Sequence, residues 1–161
     1  MKMIATMVTA CVAGLALPAH AGDTKFYPAT LCEATDGLTA SYAASGAAYN
    51  TRTDREMTLV CPLVRDVERS DGLGWSSLII NALNLTPQPN NRWLTCVAQT
   101  FNIDDYLSGT AYSVAVPPNT NWTDMSFGVA SVPASGYMLI SCQVPRMYTY
   151  PSGLASYRID E

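Results

Sequence analysis

Apolar and polar residues alternate with a period of two along much of this chain. In "EMTLVCPLV" Met57, Leu59, Cys61 and Leu63 fall on one face, and in "RWLTCVAQTF" Leu94, Cys96 and Ala98 do. "TDMSFGVASV" aligns Met125, Phe127 and Val129, and "GYMLISCQV" aligns Met138, Ile140, Cys142 and Val144. This is the period of a strand, whose successive side chains point to opposite faces of a sheet. "WSSLIINALNL" also fits a helical stripe through Leu78, Ile79, Ala82 and Leu83. It ends in the turn-forming "TPQPNN", with a further strand directly after, so the pattern predicts a strand and one arm of a hairpin. Residues 40–50, "ASYAASGAAYN", fit either a bulged strand or a loose loop. Turn clusters such as "ATDG", "SDGLG", "LSGT", "PPNTN", "PASG" and "YPSG" recur between the apolar runs. Short strands punctuated in this way predict an all-β fold, an antiparallel β-sandwich of jelly-roll-like type.

The first residues follow a different pattern. Lys2 precedes an apolar stretch from Met3 to Leu17, Pro18 breaks it, and Ala19, His20 and Ala21 give the small-x-small form of a cleavage site. That is the layout of a secretory signal peptide removed after Ala21, leaving residues 22–161 as a single domain in the periplasm or outside the cell. The stretch is shorter than the roughly 20 residues of a membrane span, and no later apolar run reaches that length. "VTAC" offers a rival reading, a lipobox with Cys11 lipidated, but a second apolar run and a good cleavage site follow it.

Cleavage changes the inventory of reactive groups. His20 is the one histidine of the chain, and it leaves with the leader, as does Lys2. Thirteen acidic residues then face eight basic ones, a net charge near −5, and nothing forms the basic patch that nucleic acid requires. Without histidine no Ser-His-Asp or Cys-His centre can be assembled. A carboxylate-dependent glycoside hydrolase remains open, with Asp104 and Asp105 in "FNIDDYLSG", or Asp66 and Glu68, as the pair. Adjacent acids in a turn are more simply a solvated loop. The oxygens of Asn102, Asp104 and Asp105 are also the candidates for a structural calcium, and no other cofactor is expected.

Four cysteines remain: Cys32, Cys61, Cys96 and Cys142. Their separations of 29, 35 and 46 residues do not resemble the close pairs of a zinc site, and no base stands by to make a thiolate. In an exported chain an even number reads as disulfides, and four cysteines allow three connectivities. Joining strands near in sequence favours Cys32–Cys61 and Cys96–Cys142.

Tyr27-Pro28-Ala29, Cys32, the run Cys61-Pro62-Leu63-Val64-Arg65-Asp66, Cys96, Cys142 and the closing Ser156-Tyr157-Arg158-Ile159-Asp160-Glu161 together resemble a group of small exported bacterial proteins. The resemblance implies a disulfide-bonded β-sandwich and brings no activity with it.

Aromatic residues are the remaining signal, with 9 Tyr and 3 Trp. Trp75 follows "DGLG", Trp122 sits in the turn-like "PPNTNWTD", and Tyr148 and Tyr150 alternate in "PRMYTYPSG". Near loops such rings stack on sugars or anchor a protein partner, and otherwise they cover the ends of a sandwich. The leading expectation is therefore a secreted, non-enzymatic binding or structural module whose partner is a glycan or a protein. A second is a subunit of a surface filament or assembly, in which the "GDTKFYPAT" arm pairs with a neighbour's sheet edge.

Overall fold

In the computed structural model, which describes residues 24–35, 37–63, 77–87, 90–101, 112–127 and 137–160, the alternation becomes two packed sheets. The strands are β1 (Thr24–Pro28), β2 (Glu33–Ala34), β3 (Ser41–Tyr42), β4 (Ala48–Asn50), β5 (Met57–Leu63) and β6 (Ser77–Asn84). They continue with β7 (Leu94–Phe101), β8 (Tyr112–Val116), β9 (Thr120–Phe127), β10 (Tyr137–Val144) and β11 (Ser152–Asp160). A single 3-10 turn, Ala29–Leu31, links β1 to β2 among the described residues.

One sheet has the order β3-β4-β11-β6-β9, with β1 also paired to β11; the other has the order β2-β5-β10-β7-β8. Every pairing is antiparallel. From β4 to β11 the chain changes sheets at each connection except β7–β8, which is the arrangement of a jelly roll. The hairpin expected from "TPQPNN" does not form: β6 pairs with β11 and β9, while β7 pairs with β10 and β8. Both strands are apolar on the face they bury, and crossing the sandwich lets Leu78, Ile80 and Ala82 join Leu94, Cys96 and Ala98 in one core. Side by side in one sheet, the two apolar faces would not cover each other.

Residues 24–28 of the N-terminal arm are engaged within the chain, in register from Thr24 opposite Asp160 to Pro28 opposite Ser156. Tyr157 ties the two layers together. It is 1% exposed, and its hydroxyl donates across the sandwich to the Pro62 carbonyl at 2.8 Å. The Tyr27 ring stacks on it at 5.1 Å.

Cys61 is a staple, bonded to Cys32, and Cys96 is bonded to Cys142. Both links join facing positions within the same five-stranded sheet. Cys96 is opposite Cys142 in the β7–β10 register, and Cys32 lies one residue before Glu33, which is opposite Val60. All four sulfurs are on the buried face. The second link does not join strands near in sequence; sheet order brings β7 beside β10 across an excursion through β8 and β9.

Candidate functional site

The six-stranded sheet buries one face and leaves the other to solvent. On the outer face the residues fall into rows that follow the strand register. One row runs Phe26, Arg158, Ile79, Ser126, and the next runs Pro28, Ser156, Asn81, Asp124. Neighbours within the rows interact as facing pairs do. The Arg158 guanidinium lies over the Phe26 ring at 5.6 Å, and Asn81 Nδ2 donates to Asp124 Oδ1 at 2.7 Å. Phe26, Ile79, Asn81, Asp124, Ser156 and Arg158 line a depression of about 110 Å3. Arg158 Nε is buried and has no hydrogen-bond partner among the described residues, so a donor remains to be satisfied beside that depression.

A third row lies one step further along, toward the start of β9 and β11. Here β4 contributes Tyr49, whose neighbours Ala48 and Asn50 face the core, and β9 contributes Trp122. Their rings meet edge to face, 6.2 Å between centroids at 63°. Two strands, β11 and β6, lie between β4 and β9, so the backbones are about 14 Å apart at the usual strand spacing. On β11, next to Tyr49, the position between them is Gly153. A Cβ there would collide with the Ala48 carbonyl and the Tyr49 side chain. Opposite Gly153 is Leu83, which is buried yet lies outside the core cluster of the sandwich. It shares the outer-face row of this aromatic pair. Trp122 remains 39% exposed.

Trp122 is thus in a strand rather than in a turn. The turn of "PPNT" closes at Asn119, whose φ of 57° is left-handed and whose N–H donates to the Thr86 carbonyl at 3.0 Å, and β9 begins at the next residue. Tyr148 and Tyr150 lie between β10 and β11, at the end of the sandwich where β9 begins. Tyr148 is half-buried under the Arg146 guanidinium at 4.8 Å, whereas Tyr150 is 63% exposed.

Trp75, Asp66, Glu68, Asn102, Asp104 and Asp105 lie outside the described residues, as do residues 1–23, where the sequence pattern of a signal peptide falls. Among the described residues no group of three or more His, Cys, Asp or Glu side chains gathers as metal ligands would. No helix among them is long and apolar enough to cross a membrane.

Sequence reasoning missed Tyr49, Phe26, Asn81, Asp124 and Arg158. For Tyr49 a signal existed: in "AAYN" the residues at 48 and 50 are small or amide-bearing and turn inward, which points the ring out. The other four become neighbours only through sheet order.

The sequence matches no family model and no curated protein. Among solved structures, the CBM36-1 domain of a multidomain xylanase from the hindgut metagenome of Trinervitermes trinervoides is similar over 86% of this chain and 98% of that one, at 5% identity and a TM-score of 0.52. The isomalto-dextranase of Arthrobacter globiformis T6, solved with panose, is similar over 86% of this chain at 14% identity and a TM-score of 0.53. This chain spans only 23% of that enzyme's length. The family 11 carbohydrate-binding module of Clostridium thermocellum matches 85% of this chain and 83% of its own at 11% identity, with a TM-score of 0.43. At such identities the likeness is one of fold, and the fold is that of a β-sandwich domain.

Proposed function

We propose that this chain is a non-catalytic saccharide-binding module, and that the outer face of its six-stranded sheet is the platform on which the glycan lies. The observation that carries this reading is the arrangement of that face. A partly exposed Trp122 braced by Tyr49 lies one row from Asn81, Asp124 and Ser156, with Arg158 and Phe26 beyond. The C–H groups on the flat face of a pyranose are attracted to an indole π-system. Its hydroxyls need both donors and acceptors at the ring's edge, and amide, carboxylate, hydroxyl and guanidinium groups supply them. A rigid sheet holds all of these, which keeps the ordering cost of binding low. The shared fold with a xylanase's CBM36-1 domain supports the reading. So does the likeness to part of a dextran-acting enzyme. Two disulfides suit an oxidising compartment, where such a module would meet polysaccharide.

The test is affinity electrophoresis of the intact chain through gels containing xylan, dextran or a β-glucan, followed by calorimetry on whichever retards it. Trp122→Ala is expected to weaken binding about tenfold or more, as loss of a central aromatic anchor does. Circular dichroism should be unchanged, since the ring is on the surface. Retardation equal to the parent's in the Trp122 variant, or none in any gel for the parent, would overturn the proposal.

A further inference from the structure

A second cluster lies at the end of the sandwich where β4, β6, β8 and β10 finish. Four of the chain's seven arginines are placed there by three separate connections. Arg52 and Arg55 come from the β4–β5 link, Arg92 from the β6–β7 link and Arg146 from the β10–β11 link. Arg55, Arg92 and Arg146 line a groove of about 460 Å3 together with Asp54 and Glu56. The two carboxylates are shared among the cations. Arg52 grips Asp54 through Nε and Nη2, both at 2.8 Å, and Arg55 Nε adds a third bond at 3.0 Å. These bonds, Arg52's first, hold the Asp54 carboxyl well below the usual carboxylate range. Glu56 accepts from Arg92 Nη1 at 3.2 Å and from Gln143 Nε2 at 2.7 Å. Arg146 has no carboxylate partner among the described residues; the Tyr148 ring beneath it is what positions its guanidinium.

In a chain with a net negative charge, four arginines at this end share two carboxylates among the described residues. The backbone that carries it is fixed from below by two asparagines of 0% exposure. Asn50 Nδ2 donates to the carbonyls of Arg55, Val144 and Pro145, and its Oδ1 accepts from the Arg52 N–H. Asn84 Nδ2 donates to the carbonyls of Arg92 and Val116. Burying an amide is costly unless its bonds are made, and here those bonds hold the arginine-bearing segments in place. Trp93, directly after Arg92, is 51% exposed.

We propose that this groove is an anion site for the carboxylate of an acidic sugar residue, so that the module selects uronate-containing polysaccharides. The guanidinium fork matches a planar carboxylate, and Arg92 and Arg146 enter from different connections, as needed to hold it between them. That the carboxylate belongs to a saccharide rests on the proposed function; that the groove takes an anion rests on the arginines alone.

The probes are polygalacturonate, its fully methyl-esterified form, which has the same backbone without the charge, and poly-L-glutamate. The intact chain is expected to bind polygalacturonate, more weakly as salt is raised, and to bind the ester about tenfold less tightly. Arg92→Gln/Arg146→Gln changes only exposed side chains and is expected to remove that difference, while Trp122→Ala preserves it. Equal binding of acid and ester, or an unaltered preference in the double variant, would overturn the anion site. Poly-L-glutamate bound as tightly as polygalacturonate would overturn its assignment to sugars. Because the preference is scored as acid against ester, it can fail while the outer-face platform stands, and the reverse holds for neutral glycans and Trp122.

Discussion

Tyr157 shows how much one side chain contributes to joining the two layers. Its ring is buried on the six-stranded sheet, and its hydroxyl reaches the Pro62 carbonyl on the five-stranded one. Burial raises its pKa above the ordinary tyrosine value of 10.0, with the nearby Tyr27 adding to the effect. The folded protein therefore keeps a proton that the unfolded chain releases. Its share of stability is complete below the unfolded value and is lost as pH rises from there toward the folded one. Tyr157→Phe should cost about 1–2 kcal/mol at neutral pH, because the Pro62 carbonyl loses its donor. The same variant should show a smaller loss of stability above pH 10 than the parent, by denaturant unfolding across an alkaline series. Parallel curves for the two proteins would contradict this account.

At the level of the strand, Gly153 lies next to Tyr49 of the aromatic pair. Any side chain at that position must displace either the β4 backbone or the Tyr49 ring. Gly153→Ala is accordingly expected to destabilise the fold by about 1–3 kcal/mol, the usual cost of overpacking, and to weaken glycan binding without touching the ligand. Thermal unfolding and calorimetry on the one variant would measure both. Beyond the inward-turning neighbours of Tyr49, none of this was legible in the sequence. The long alternations around Cys61, Cys96 and Cys142 identified β5, β7 and β10 and their buried faces, because a period of two over seven or eight residues has one structural meaning. β4 is three residues long and set among alanines and serines, so its identity comes from pairing with β11. The β6–β7 connection and the placement of Trp122 failed for a related reason. A turn signal reports that the chain reverses, but whether it returns to the same sheet or crosses to the other depends on where the core needs cover. Phe26, Asn81, Asp124 and Arg158 are separated by up to 132 positions and meet only because β1, β6, β9 and β11 share a sheet.

For the molecule as a whole, covalent cross-links and the proposed ligand face are on different sheets. Both disulfides staple the five-stranded sheet, closing separations of 29 and 46 residues. The proposed glycan platform is on the other. In the chain-entropy account each link contributes about 4 kcal/mol by limiting the unfolded ensemble, which together is comparable with the roughly 5–15 kcal/mol net stability of a domain. Replacing either pair by serine should then lower the unfolding midpoint by about 10 °C, taking a few degrees per kcal/mol at this size. Below that midpoint, binding should match the parent's, since no platform residue is bonded to a cysteine or lies on the stapled sheet. Losing both pairs should bring the protein close to unfolding at room temperature, with binding and structure lost in a single transition. A Cys96→Ser/Cys142→Ser protein that kept its midpoint would show that apolar burial alone holds the sandwich. One that stayed folded but lost glycan binding would show that the stapled sheet positions the opposite face.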